Sequence, residues 1–201
     1  MAESTSLPIP RTTSPLYGAQ AGELAGQLAT LSTEELAKIL RVNHRIAATN
    51  RLRYSRFHDN AERALPALAA YTGIVFKRIA PADFTAGDFE YAQAHLNITS
   101  FLYGLLRPLD TIRTYRLEGD AVLPGRGDET MFSYWQSRLT DDLLGRIHAD
   151  DGILVNLASG EMTRHILKNR IADPATLRSF EWEGFRLDPA LSKGDDWVFT
   201  L

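Results

Sequence analysis

The stretch DFEYAQAHLNITSFLYGLLRPLDTIRTYRLE, residues 88–118, decides how the chain is read. Just upstream, Thr85 is an N-cap residue with Asp88 three positions on. At that spacing a hydroxyl and a carboxylate cross-cap the first free amides of a helix, and Phe84 and Phe89 bracket the cap as a staple. The predicted helix runs into the turn Ser100-Phe101-Leu102-Tyr103-Gly104, and a short apolar segment follows until Pro108 stops it. Arg107, Arg113 and Arg116 come close behind, so guanidinium groups accompany a polar backbone corner, a combination suited to phosphate. The residues alone leave a second reading open, a buried helical hairpin whose arginines pair with Asp110 and Glu118.

Working back toward the N-terminus, Leu31-Ser32-Thr33-Glu34-Glu35-Leu36 holds a capping box from Ser32 to Glu35 and a Leu31–Leu36 staple, so a helix begins at Thr33. Up to Phe57 the apolar spacing is only loosely helical, which predicts two helices with a break near Val42 to His44. An earlier helix is expected over Tyr17 to Thr30. Residues 1–16, rich in Ser, Thr and Pro, read as an irregular lead-in to a single domain over 17–201. Residues 33–58 carry Lys38, Arg41, Arg45, Arg51, Arg53 and Arg56 against Glu34 and Glu35 alone, with Lys38, Arg41 and Arg45 at the spacing of one helical face. This one-signed excess, with Tyr54 and Phe57 among the arginines, fits either a solvated face or a nucleic-acid surface. His44 and His58 lack ligand spacing with any other histidine, and no metal is assigned.

On the near side of the central stretch, Ala67 to Tyr71 reads as a buried strand, followed by a turn at Thr72-Gly73 and a second short element at Ile74-Val75-Phe76. On the far side, Ala121-Val122-Leu123 is a minor strand candidate. Gly125-Arg126-Gly127 lacks the following helix of a dinucleotide or P-loop site. Asp128 is expected to cap a helix over Glu129 to His148 whose stripe of Met131, Phe132, Trp135, Leu139, Leu143 and Ile147 reads as core. Ile153 to Leu157 has the apolar character of an interior strand, and it leads into Ser159 at the start of a helix over 161–169. Asn156, Ser159 and Arg164 therefore form a candidate strand-end pocket, although Ser159 taken alone reads better as a simple N-cap. Asp173-Pro174 starts a short helix to about Ser179, and Glu181 to Leu187 and Trp197 to Leu201 are expected to pair antiparallel.

A chain of 201 residues with 44% apolar content buries a core of its own as a single mixed α/β (α+β) unit. Twenty-two basic against 25 acidic residues leave a formal charge of −3, so a nucleic-acid surface has to arise from local segregation of charge. Cysteine is absent, which removes disulfides, thiolate nucleophiles and thiol-based peroxide sensing. No run approaches a membrane span and the opening residues have no apolar signal core, so a cytoplasmic protein is the expectation. No Ser-His-Asp, Cys-His or paired-carboxylate spacing stands out, and neither a catalytic residue nor a cofactor is assigned.

Several segments together resemble the YaaA family of bacterial peroxide-stress proteins. They are LPALAAYTGIVFKRI at 65–79, the 88–118 stretch with YGLLRPLD and YRLE, TMFSYWQSRLTDDLL at 130–144, NLAS at 156–159, and GEMTRHILKNRI at 160–171 continuing through FEWEGF to WVFTL. The resemblance covers most of residues 33–201. It implies a compact fold with a helix-hairpin-helix element at Ile98 to Leu105 and a cationic cleft. It also implies binding of double-stranded DNA, including distorted duplexes, by a protein protective against hydrogen peroxide. On that reading Ser100, Tyr103, Gly104, Arg107, Arg113 and Arg116 contact phosphate and Arg41, Arg45, Arg51, Arg53 and Arg56 widen the surface. The protein would act as a monomer without a membrane partner. The competing class is an enzyme acting on nucleic acid or a small phosphorylated compound at the Asn156 and Ser159 pocket. Three departures from the family pattern stand out: Phe101 occupies a position where many relatives have glycine, the Ser-Pro-Ala-Lys-Thr type of opening motif is missing, and NLAS joins GEMTRHILKNRI directly. The last leaves roughly 40 to 50 residues absent between Ser159 and Gly160 for a domain of this type.

Overall fold

Local capping signals set the helices. In the computed structural model, which describes residues 1–59, 63–150, 152–154, 168, 170–171, 173–179, 181, 186–194 and 197–200, α1 spans Gly18–Ala29, α2 Thr33–Ile39 and α3 His44–Ser55. The Ser32–Glu35 box closes in both directions at the start of α2. Asn43 caps α3 by accepting the Ile46 amide at 3.0 Å, so the chain breaks where the apolar spacing loosened. α1 has no capping side chain. It is held by complete burial of Ala21, Leu24, Ala25 and Leu28, of which each leucine contributes about 2 kcal/mol.

Strand β1, Leu65–Pro66, is followed at once by the short helices α4, Ala67–Ala70, and α5, Ile74–Ile79. The strand expected over Ala67 to Tyr71 is thus a helical turn. Short apolar runs carry no period long enough to separate the two states, and packing chose the helix. Helix α6, Ala86–His95, starts at the Thr85–Asp88 capping box with Phe84 and Phe89 in edge contact at 5.5 Å.

The central turn is a β-hairpin. β2, Ile98–Ser100, pairs antiparallel with β3, Gly104–Leu106, in the register Ile98↔Leu106 and Ser100↔Gly104. After it the chain makes a turn and enters β4, Thr111–Ile112, which pairs antiparallel with β1. The hairpin is therefore followed by a strand where a helix-hairpin-helix element needs its second helix. The next helix, α7, is Met131–Ala149, capped by Thr130 through the Ser133 amide at 3.1 Å. Asp128, expected as that cap, stands two residues too early. Val122 bridges to Thr130 as an isolated pair in place of a longer strand. At the C-terminal end, β5, Arg186–Leu187, and β6, Phe199–Thr200, pair antiparallel, and a 3-10 turn covers Pro174–Ser179.

The main core joins α1, α2 and α3 to the hairpin and the first turns of α7, and a smaller cluster of Leu68, Ile79, Phe84, Phe89, Ala92 and Leu109 lies under α6. Burial along α7 is complete at Met131 and nearly so at Tyr134 and Trp135, whereas Phe132 and Leu144 are exposed. The expected stripe is core only over its first turns. Residues 1–16 have almost no regular structure yet are docked. Leu7 and Ile9 pack on the smaller cluster, Arg11 forms a two-point ion pair with Glu90 at 2.7 Å, and Thr13 forms a parallel bridge with Asp110.

Candidate nucleic-acid interface

The side of α3 that faces the core buries Ala47, Asn50 and Tyr54, which leaves Arg45 and Arg56 exposed beside it. Residues 113–120 run alongside α3 in the opposite direction. The Arg113 side chain donates to the Asp59 carbonyl at 2.7 Å and lies 5.7 Å from the Phe57 ring centre. Further on, the Tyr54 hydroxyl donates to the Arg116 carbonyl, and Asp120 pairs with Arg41 near the other end of the helix. Burial pushes the Tyr54 phenol well above its ordinary range, so it acts as a neutral donor. Arg113 and Arg116, from the central stretch, thus lie beside α3, with Asp120 reaching Arg41, while Arg45 and Arg56 are exposed on the side of the helix away from the core.

Several of these guanidiniums have a specific holder. Arg116 pairs with Glu118 at 3.1 Å and Arg53 with Glu3 at 3.4 Å, both carboxylates being exposed. The Arg113 Nε is buried and makes no hydrogen bond, while the Arg113 amide donates to the Tyr103 hydroxyl at 2.9 Å. Burial pushes that phenol up to about 12. Arg41 takes a left-handed backbone conformation, φ 50°, in the link between α2 and α3, so Lys38, Arg41 and Arg45 do not share one helical face as their spacing suggested.

Other expected residues lie elsewhere. Arg51 donates from Nε to the Leu31 carbonyl at 2.9 Å and is turned toward the α1–α2 connection. Arg107 is tied to Asp110, whose carboxylate takes the Arg107 amide at 2.8 Å and the guanidinium at 3.1 Å, together with the Thr13 hydroxyl at 2.6 Å. Asp110 is 1% exposed. Gln93 completes this knot, accepting the Leu109 amide at 2.7 Å and donating to Thr13 at 3.1 Å.

Ser100, Tyr103 and Gly104 are core residues of the hairpin. The Ser100 hydroxyl accepts the Tyr103 amide at 2.9 Å and shares a hydrogen bond with Tyr115 at 2.7 Å, and Tyr115 is bonded to Tyr71 at 2.8 Å. Gly104 has φ 71°, and a Cβ there would lie 2.6 Å from the Trp135 ring, whose indole N–H donates to the Phe101 carbonyl at 2.8 Å. Only glycine meets both demands.

Asn156, Ser159 and Arg164 lie outside the described residues. A shallow depression at the end of α1 is lined by Gly26, Gln27, Thr30, Leu31 and Pro124, none of them ionisable, so it offers an enzyme no acid or base. Among the described residues no cluster of His, Cys, Asp or Glu is arranged to hold a metal, and no helix is long and apolar enough to cross a membrane.

Two features were missed in the sequence. The carboxylates that hold the row, Glu3 and Asp120, are 50 and 79 residues from their arginines. The capping residue Asp88 has a second role, since it receives Lys168 at 2.8 Å with Arg170 at 3.7 Å. Lys168 and the Thr85 amide hold the Asp88 carboxyl down to about 2. No short-range signal marks either contact.

The family model described as peroxide stress protein YaaA matches residues 1–163. A UPF0246 protein of Bacteroides thetaiotaomicron is 46% identical over 241 aligned positions, covering 99% of this chain and 94% of the relative. One from Bacteroides fragilis is 44% identical, covering 100% and 94%, and one from Acaryochloris marina 33%, covering 93% and 90%. Set against 201 residues, the 241 aligned positions of the first leave about 40 without a counterpart here, in keeping with the shortening read from the motifs. The chain belongs to the YaaA family of peroxide stress proteins.

Proposed function

We propose that this protein serves in peroxide stress by binding double-stranded DNA through its phosphates, along the row Arg41, Arg45, Arg53, Arg56, Arg113 and Arg116. It acts in the cytoplasm as a monomer, in a binding and not a catalytic role. The observation that supports the reading is the antiparallel course of residues 113–120 beside α3, which brings Arg113 and Arg116 to a helix that carries Arg45, Arg53 and Arg56. A helix of 12 residues is about 18 Å long, the span of about five phosphates on one strand of B-form DNA. Exposed ion pairs such as Arg116–Glu118 contribute no more than about 1 kcal/mol, so a phosphate can replace the carboxylate at small cost. Arg107 and the hairpin residues Ser100, Tyr103 and Gly104 serve as the scaffold behind the row.

Such binding is insensitive to base sequence and sensitive to salt. With about four phosphates neutralised, the slope of log K against log salt is expected near −3.6. The double variant Arg45→Glu, Arg116→Glu should abolish binding at physiological salt without changing the melting temperature. A flat salt dependence, or full affinity in the folded double variant, overturns the reading.

A further inference from the structure

Tyr54, Tyr71, Tyr103 and Tyr115 lie in or against the main core with their hydroxyls turned to different partners. Tyr54 ends on a backbone carbonyl, that of Arg116, and Tyr103 receives the Arg113 amide at 2.9 Å. A carbonyl takes a hydrogen bond but keeps no proton, and an amide N–H only donates. Tyr115 differs. Its hydroxyl lies 2.8 Å from that of Tyr71 and 2.7 Å from that of Ser100, and since hydroxyls both donate and accept, a proton can be handed along the line. The Ser100 oxygen already accepts the Tyr103 amide at 2.9 Å, which favours Ser100 as donor to Tyr115 and Tyr115 as donor to Tyr71. Tyr115 is 9% exposed, whereas Tyr71 is half-buried and stacks at 5.0 Å on the half-buried ring of Phe76. Burial pushes both phenols up, so both protons stay in place until an electron leaves. On the other side, rings lead outward from Tyr115 to Tyr103 at 5.8 Å and from Tyr103 to Phe57 at 5.9 Å, beside Arg113. The chain has seven tyrosines and no cysteine, so no thiol of its own is oxidised first.

We propose that the Tyr71–Tyr115 pair is a redox site, where an oxidising equivalent that strikes the protein settles as a buried phenoxyl radical on Tyr115. This role goes beyond DNA binding and does not depend on it. The oxidant is an oxygen-centred radical of the hydroxyl class. It takes one electron from Tyr115 by way of the Tyr103 ring and becomes hydroxide. The oxidised phenol, now strongly acidic, passes its proton to Tyr71, which releases its own to water and so neutralises the hydroxide. The sum is hydroxyl radical plus phenol giving water plus phenoxyl. Burial keeps the phenoxyl from coupling with a second ring. A small thiol returns one electron and one proton by the same routes, which restores the phenol and leaves a thiyl radical. Tyr54 and Tyr103 have no such outlet for a proton.

The test oxidises the folded protein by one electron with azidyl radicals, made by pulse radiolysis of an azide solution, and reads the product by freeze-quenched EPR. Wild type should give a phenoxyl signal with the high-field g-value of a hydrogen-bonded radical, formed more slowly in D2O and discharged by added glutathione. Tyr115→Phe, which keeps the ring and its packing, should lose that signal at an unchanged melting temperature. Tyr71→Phe should slow its formation and remove the D2O effect, and Tyr54→Phe should leave the signal as it is. The same signal in folded Tyr115→Phe overturns the proposal. So does a wild-type phenoxyl that carries no hydrogen bond or forms equally fast in D2O, two readings that stand even where a variant does not fold.

Discussion

Arg107 and Arg116 come from one short stretch and do opposite work. Arg107 is bound to a carboxylate that is 1% exposed, within a knot that also fixes Thr13, Gln93 and Leu109. Arg116 is bound to one that is 52% exposed. The guanidiniums are chemically the same. What separates an arginine locked into the fold from one that can exchange its partner is whether its carboxylate has been taken out of water: a buried partner without its mate is left uncompensated, whereas an exposed one is rehydrated.

That contrast breaks most easily at the buried end. Asp110→Ala should destabilise the fold by about 1 to 3 kcal/mol in chemical denaturation, because it takes the acceptor from the Arg107 amide and the Thr13 hydroxyl. A cost no larger than that of Glu118→Ala would remove the distinction. Gly104→Ala tests the hairpin behind the row and should cost about 2 to 3 kcal/mol, from the left-handed backbone and the collision with Trp135.

The pH dependence gives a third, smaller effect. Asp88 is a depressed carboxyl, so the folded state binds its proton less readily than the unfolded chain, where the value is about 4. Its contribution is complete above that value and is lost as pH falls through about 2. Denaturation curves between these limits should steepen in wild type and flatten in Asp88→Asn. At the exposed end, Glu118→Gln should leave stability within about 0.5 kcal/mol. It should also raise affinity for duplex a few-fold by freeing Arg116, and Arg116→Ala should reduce the salt slope by about one unit.

The elements that were legible are those whose causes are local. The boxes at Ser32–Glu35 and Thr85–Asp88 and the break before His44 depend on residues a few positions apart, the C-terminal strand pair on residues 12 to 14 apart, and the structure has all of them. Ala67–Tyr71 failed because four or five apolar residues satisfy helix and strand alike. The α7 stripe was read as core throughout, yet a period states only which residues share a face: Phe132 is exposed, and Leu139, Leu143 and Ile147 are only partly buried. The arginine row was half legible. A local excess of charge is visible in any sequence, while the pairing of Arg107 with a buried acid and of Arg41 with Asp120 depends on how distant segments meet.

The docking of Thr13 against residues 109–111 carries a consequence for how the protein is made. Its partner Asp110 lies 97 residues further on. At a synthesis rate of about 5 to 20 residues per second, the first residues leave the ribosome roughly 5 to 20 s before the segment that receives them. Leu109 completes the cluster on which Leu7 and Ile9 pack, so that cluster too is whole only at the end of the interval. The Thr13–Asp110 contact therefore closes only after residues 109–111 have emerged, whereas Glu3 and Arg53, 50 residues apart, are both available sooner.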